Sequence, residues 1–320
     1  MNSLVAVVGP TGIGKSQVAF RLAQIFNGEI VNGDSRQIYR DMDIGTAKPT
    51  SAVLNLIPHH LISIIDPDED FSLAQYQELA YTAIREIQHR GRLPLLVGGS
   101  GQYIWSVLED WQVPQVSPDP EFRQQLEERA TSNRKEALYQ ELIRIDPAAA
   151  QRIDHRNIRR VIRALEVQKS TGLPFSKLQR KRGEQRFRSL IVGLTTDRAE
   201  LYRRIDLRVD EMIRQGLVTE VDRLMNRGYS FKLSSMSSIG YNQIGSYLRG
   251  ELSLDTAIER IKYETHRFVR HQYNWFRPKD DRIEWFDIQS EDLEAKITRR
   301  LTEFMNGEQD EVYQGAGSRQ

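Results

Sequence analysis

The stretch LVAVVGPTGIGKS, residues 4–16, decides the fold. Leu4 to Val8 is a Val-rich apolar run that stops at Gly9-Pro10, which reads as a buried strand. Gly9-Pro-Thr-Gly-Ile-Gly14-Lys15-Ser16 then fits the pattern G-x-x-x-x-G-K-[ST]. A helix is expected to follow from about Lys15 to Phe26, with Val18, Leu22, Ile25 and Phe26 on one face. Strand, glycine loop and helix in that order are the context a phosphate-binding loop requires. Its glycines let backbone N–H groups turn inward around phosphate oxygens, and the helix N-terminus adds positive potential. Lys15 is placed to neutralise a terminal phosphate, and the Ser16 hydroxyl to ligate Mg²⁺.

Outward from this loop the chain alternates strands and helices. Glu29 to Asn32 is a second strand, His60 to Ile65 a short third, and Leu93 to Val97 another buried one ending in Gly98-Gly99. Ser72-x-x-Gln75 is a capping box for a helix that turns Tyr76, Ala80, Ala83 and Ile87 to the core and stops near Gly91. This alternation predicts an α/β fold, a P-loop NTPase-like parallel sheet flanked by helices. Past Trp111 the character changes. Three prolines in Val113 to Pro120 mark a linker, and Glu121 to about Lys181 is helical and charged, without a strand. Phe187 to Leu194 returns to a buried apolar run. The organisation predicted is a core of residues 1–118 and 187–306, an inserted all-helical domain at 119–186, and a disordered polar tail at 307–320. In the second half of the core, Asp197 caps one long helical region to about Arg227, and Ser253 caps another to about Phe276.

The chain has 320 residues, 45 Lys+Arg against 44 Asp+Glu, 39% hydrophobic residues and no Cys. The apolar share supports a real core and excludes wholesale disorder. Disulfides, thiolate metal sites and Cys nucleophiles are excluded. No apolar run is long enough to span a bilayer, and the N-terminus lacks the basic region of a secretory signal, so a cytoplasmic protein is expected. The net charge of +1 hides a gradient. Residues 1–120 carry eight basic and thirteen acidic residues, whereas 152–188 carry twelve basic and three acidic. A basic block in a neutral protein is the footprint of nucleic-acid contact, although charge alone fits a solvated helix as well. Within Arg156 to Gln168, Ile158, Val161, Ile162 and Leu165 share one helical face, while Arg156, Arg160 and Arg163, with Arg159 beside them, line another. Guanidinium forks bind phosphate oxygens two at a time. Between Lys262 and Arg277, Arg267, Arg270 and Arg277 alternate with aromatic residues; stacking on bases is open to them, with core packing favoured for Phe268 and Phe276.

An ordinary P-loop NTPase places a second acid for Mg²⁺ at the end of another strand. The strand at 93–97 ends in Gly98-Gly99-Ser100-Gly101, with no acid; the acid follows the second strand instead, as Asp34. It is a candidate magnesium ligand or general base. To this point the residues leave open an ATP-dependent small-molecule kinase and a non-catalytic, nucleotide-switched RNA-binding protein.

The segments GPTGIGKS at 9–16, GDSRQIYRDMDIGTAKP at 33–49, LLVGGSGQYI at 95–104, RRVIRALEV at 159–167, GYNQIGSYLRGE at 240–251 and RFVRHQYNWFR at 267–277 together resemble bacterial tRNA dimethylallyltransferases, also called tRNA isopentenyltransferases. The resemblance runs from about residue 4 to 287. It implies transfer of the dimethylallyl group of dimethylallyl diphosphate to the exocyclic N6 of adenosine 37, beside the anticodon, in tRNAs that read codons beginning with U, with release of diphosphate and no NTP hydrolysis. It implies that Gly9, Thr11, Gly12, Ile13, Gly14, Lys15 and Ser16 bind the diphosphate, with Mg²⁺ on Ser16. Asp34 is then the general base, Arg208 contacts the diphosphate, and Ser100 stands where the family usually has a catalytic Thr. Gln102 departs from the usual apolar residue. Contact with the tRNA anticodon stem-loop is implied for Asp34, Ser35, Arg36, Gln37, Arg123, Arg159, Arg160, Val161, Ile162, Arg163 and Arg270. A monomer with no membrane partner is expected.

Overall fold

Parallel pairing organises the sheet in the computed structural model, which describes residues 2–116, 119–130, 135–179 and 183–317. Strands β1 (Ser3–Val8), β2 (Gly28–Asn32), β3 (His59–His60), β4 (Leu93–Gly98), β5 (Arg188–Thr195) and β6 (Ile283–Asp287) lie in the order β3-β2-β4-β1-β5-β6. Every pair is parallel. Helices α1 (Lys15–Ile25), α2 (Ser51–Leu56), α3 (Leu73–His89) and α4 (Gly101–Leu108) belong to the first half of the chain. Then come α5 (Pro120–Arg129), α6 (Lys135–Ile145), α7 (Pro147–Ala150), α8 (Ile158–Thr171) and α9 (Phe175–Leu178). After β5 follow α10 (Arg198–Arg214), α11 (Leu217–Asn226), α12 (Tyr241–Leu248), α13 (Leu254–Gln272) and, after β6, α14 (Leu293–Gly317).

The chain divides into two compact units. One comprises residues 1–69, 79–104 and 186–320 and holds the whole sheet. The other comprises 70–78 and 105–185 and is helical, a wider insert than 119–186. The reason for the wider boundary is the buried Gln77, whose amide donates to Ser106 O at 2.7 Å and Trp111 O at 2.9 Å and so ties the start of α3 to the end of α4. In the sheet unit, β1 and β4 are buried along their whole length, as their apolar runs Leu4–Val8 and Leu93–Val97 require, with Ser3 buried at the start of β1. The capping box at Ser72 and Gln75 is formed in both directions, at 2.8 and 3.2 Å. Tyr76, Ala80, Ala83 and Ile87 are all buried, as the periodicity predicts. The helical unit has its own core, with Leu126, Leu138, Leu142, Val161 and Leu165 at its centre.

Several elements differ from the sequence reading. Helix α1 buries Ala19, Leu22 and Ala23 while Ile25 is 49% exposed, so its core face is rotated toward the small residues that fit closest to the sheet. The third strand shrinks to His59–His60, with only an isolated bridge from Tyr39 to Ile65 beyond it. The helical region to Arg227 is two helices, broken where Gly216 takes φ +100°. β6, α2 and α12 are additional. Residues 307–317, expected as disordered tail, continue α14, which docks through Ile297, Leu301 and Phe304 and then propagates one hydrogen bond per residue. Residues 117–118 of the expected linker and 318–320 of the tail lie outside the described residues.

One contact fixes how near β2 and β4 approach. A Cβ on Gly98 would fall 2.1 Å from the Gly33 carbonyl oxygen, and the Gly33 N–H donates to Val97 O at 2.7 Å. Two glycines face each other where the second strand delivers Asp34. Gly98→Ala should therefore lower stability by ~1–3 kcal/mol or more through backbone displacement. Thermal and urea unfolding check this; a variant as stable as the parent would contradict so close an approach.

Candidate active site

The register of the sheet brings three loops to one edge. Val8 is opposite Gly98, Val7 opposite Val97, and Asn32 opposite Val97. The chain therefore leaves β1, β2 and β4 at the same level, and residues 9–16, 33–37 and 99–101 emerge side by side, at the carboxyl ends where such sheets carry their sites.

The first loop is a cradle. Ile13 is fully buried in the sheet core beside Ile205 and anchors the loop from beneath. Arg204 Nε donates to Gly12 O at 3.2 Å, and Lys15 Nζ donates to Pro10 O at 2.9 Å. The backbone N–H groups of Gly12, Gly14, Lys15 and Ser16 meet no protein acceptor among the described residues. They are the orphan donors of a helix N-terminus, to which an anion is the natural partner. Burial lowers the Lys15 ammonium to about 8, with nearby Asp34 resisting the shift and Arg208 reinforcing it. The Arg208 guanidinium is likewise lowered, by burial first, and is held charged by Asp34. Two cations and one carboxylate thus share the site, with no ion pair closing any of them together among the described residues.

The second loop is held by its own side chains. Asp34 N–H donates to Asn32 Oδ1 at 3.0 Å, and Asp34 Oδ1 accepts the Arg36 N–H at 2.8 Å. This turn spends one carboxylate oxygen and leaves Oδ2 without a protein partner among the described residues. Ser100 Oγ accepts the Ser35 N–H at 3.0 Å and donates to Ser35 Oγ at 3.2 Å, so the hydroxyl positions the loop that carries the carboxylate. The Arg36 guanidinium donates to Ser234 O at 2.7 Å, and Gln37 Nε2 donates to Thr46 O and Ala47 O at 3.1 and 3.2 Å.

Residues 39–48 are clamped from two sides. Lys48 Nζ donates to Tyr39 O, to Asp43 Oδ1 at 2.8 Å and to Ser63 Oγ at 2.8 Å. Glu220, 5% exposed on α11, accepts three successive N–H groups, from Asp43, Ile44 and Gly45 at 3.0, 2.8 and 3.1 Å, and the Tyr241 hydroxyl at 2.6 Å. Burial together with the Glu220 charge pushes the Tyr241 phenol well up, so it remains a donor.

In the helical unit the arginines separate into two groups. Arg159 and Arg160 are exposed, and no ion pair engages either among the described residues. Arg123 and Arg163 instead converge on the fully buried Glu166. Arg123 reaches it with two bonds of 2.8 and 3.0 Å, Arg163 with one of 2.6 Å, and Arg163 also donates to Val116 O at 2.9 Å. These two arginines neutralise a buried acid while their side chains stay 34% and 26% exposed. Arg156 precedes α8 and pairs with Asp154 at 2.7 Å, so it is not on the expected arginine face. Val161 and Ile162, 0% and 3% exposed, turn their side chains into the insert core. In the sheet unit, Arg270 is exposed and donates to Tyr202 Oη at 3.1 Å. Phe276 is buried as expected, but Phe268 is 42% exposed.

Residues 37–279 match the family model described as IPP transferase, and residues 2–62 that of isopentenyl transferase. The chain belongs to the tRNA dimethylallyltransferase family. It is 54% identical over 277 residues to the tRNA dimethylallyltransferase of Roseiflexus sp. (strain RS-1), covering 87% of this chain and 90% of that one. Identity to the Thermomicrobium roseum member is 46% over 321 residues, with 99% and 97% covered. Among solved structures, the full-length tRNA isopentenylpyrophosphate transferase of Bacillus halodurans matches with TM-score 0.69 and 40% identity over 97% of this chain and all of that one. A eukaryotic dimethylallyltransferase acting on tRNA matches with TM-score 0.79 and 27% identity, over 93% of this chain and 78% of that one. The six-stranded parallel sheet with flanking helices is the architecture of this family.

Sequence reasoning missed Arg204, Glu220, Lys48 and Gln272. Two carried a signal. Glu220 shares a helix face with Leu217, Val221 and Leu224, and Gln272 one with Ile261 and Val269. A polar residue on a buried helix stripe must find partners, which marks it as a clamp. Glu220→Gln should cost about 2 kcal/mol by setting an NH₂ against backbone donors. Urea unfolding reads the loss, and faster amide exchange confined to residues 43–45 would localise it.

Proposed function

We propose that the chain transfers the dimethylallyl group of dimethylallyl diphosphate to N6 of adenosine 37, in the anticodon loop of tRNAs reading codons that begin with U. The observation that carries this reading is Asp34. Its unspent carboxylate oxygen stands at the sheet edge within electrostatic reach of Lys15 and Arg208, beside orphan N–H donors. Transfer of a prenyl group from a diphosphate to tRNA fits the relatives, whereas a small-molecule kinase or a nucleotide-switched RNA-binding protein finds no support among them.

In the proposed reaction the allylic C–O bond breaks and an N–C bond forms. The electron pair of the broken bond leaves with the diphosphate. The N6 amine, a weak nucleophile because its lone pair is delocalised into the ring, gives up a proton to Asp34 Oδ2. Lys15, Arg208 and the N–H groups of Gly12, Gly14, Lys15 and Ser16 offset the charge that accumulates on the leaving oxygen, and they need no reorganisation to do so. Ser100 keeps Asp34 in place through Ser35 rather than by direct chemistry. Among the described residues no cluster of three acids or histidines forms a ready metal cage. The donor set, one exposed Ser16 hydroxyl at a phosphate cradle, suits Mg²⁺, which keeps waters and takes oxygens from a phosphorylated ligand. Mg²⁺ bound there would supply further neutralisation of the diphosphate. For the RNA, Arg159 and Arg160 in the helical unit and Arg270 in the sheet unit are exposed guanidiniums suited to phosphate, and Asp34 to Gln37 are the residues proposed to meet the acceptor base. We further propose a monomer that acts in the cytoplasm, where a tRNA substrate is met.

Mass spectrometry of tRNA nucleosides after incubation with dimethylallyl diphosphate and Mg²⁺ should reveal a five-carbon unit on adenosine. Asp34→Asn preserves the turn to Arg36; it should lower turnover by about 10²–10⁴ while tRNA affinity stays nearly unchanged. Unaltered turnover would remove Asp34 as the base.

The proposal also fixes a pH dependence. Lys15 in the free protein titrates near 8, and a bound polyanion raises it. Above that pH, binding must take up a proton, so the Kd for dimethylallyl diphosphate should climb as pH rises, by up to about tenfold per unit. Calorimetry across this range checks it. Lys15→Met should bind more weakly and give a flat profile.

A further inference from the structure

The cradle is braced by a side chain that the proposed chemistry does not use. Gln272, the last residue of α13, is 4% exposed. Its Oε1 accepts the Thr11 N–H at 2.8 Å, and its Nε2 donates to Gly99 O at 2.9 Å. Partner chemistry fixes the amide orientation: the N–H needs an acceptor and the carbonyl a donor, so only one of the two flips satisfies both. One side chain thereby ties the loop after β1 to the loop after β4. A Cβ on Gly99 would lie 2.5 Å from Gln272 Nε2 and 3.5 Å from Lys15 Nζ. Amide and ammonium stand against the same glycine.

That place has a meaning in P-loop chemistry. In a nucleoside-triphosphate site the P-loop lysine reaches the second and third phosphates, while N–H groups nearer the helix surround the inner ones. Here the inner donors on Gly12, Gly14, Lys15 and Ser16 meet no protein acceptor among the described residues. The Thr11 N–H, on the outer rim, is consumed, and the rim on the Gly99 side is closed by the amide.

We infer that Gln272 is a positioning and donor-selecting residue that sets the cradle to the length of a diphosphate. It holds Thr11 and Gly99 in place and fills the space beside Lys15 in which a triphosphate would put its third phosphate. This rests on the diphosphate donor proposed above. Failure of that reading is separately visible, because the parent protein would then form no prenylated adenosine at all.

Two substitutions in the full chain separate bracing from filling. Gln272→Leu keeps the bulk and loses both hydrogen bonds. It should raise KM for dimethylallyl diphosphate about tenfold with kcat little changed, the scale of one lost hydrogen bond. It should leave the ratio of tripolyphosphate to diphosphate inhibition at the parent value. Gln272→Ser opens the space as well. The same rise in KM should then come with a shift of about tenfold or more in that ratio toward tripolyphosphate. A ratio in Gln272→Ser equal to the parent's, or a shift in Gln272→Leu as large as in Gln272→Ser, would overturn the inference. Should Gln272→Ser fail to fold, Gln272→Asn, one carbon shorter, gives the same comparison at smaller amplitude, and an unmoved ratio there is equally fatal to it.

Discussion

Everything at the site depends on β4 lying in parallel register between β1 and β2. Because Val97 is level with both Val7 and Asn32, three separate turns leave the sheet at one height. A slip of one residue in either pairing would invert the faces of a strand and displace its loop by about 3.3 Å. That would part Lys15 from Asp34, whose interaction falls with distance. Register is held by burial on both faces and by the glycine pair Gly33 and Gly98, which allows β2 and β4 to end closer than any side chain would permit.

The loops are then stiffened by buried polar groups rather than by apolar packing. Glu220 gathers three backbone N–H groups, Lys48 three oxygens, and Gln272 one donor and one acceptor. Each such group is costly to bury and tolerable only when fully satisfied. The cost is returned as geometry, since a side chain with several fixed partners admits one loop conformation. Glu166 does the same in the helical unit, where it holds Arg123 and Arg163.

What could be read from the sequence follows from range. The first strand, the helix that begins at Lys15 and the caps at Ser72, Asp197 and Ser253 are local, written in consecutive residues, and formed as read. The helix face of α1 was misjudged because its core contact goes through Ala19 and Ala23, which periodicity weighs lightly against Ile25. The pairing of Arg123 and Arg163 was illegible for a different reason. Sequence alone showed Glu166 as one acid among many bases and could not show that Arg123, forty-three positions earlier, folds back onto it. Partners distant in the chain are set by topology, and only the polar interruption of an apolar stripe betrays that one is needed.

The electrostatics of the cradle bear on its chemistry. Lys15 and Arg208 are both lowered by burial, and Asp34 opposes the shift in each. Two buried cations beside one carboxylate leave an excess of positive charge, which a multivalent anion would offset. In the proposed reaction, an anion bound there would take over the pairing of the two cations and leave Asp34 Oδ2 to the acceptor amine. A site arranged in this way lets the leaving group and the base be served by one set of charges. The backbone turn that fixes Oδ1 on the Arg36 N–H leaves Oδ2 without a protein donor among the described residues, so that oxygen needs no rearrangement of the turn to meet a ligand.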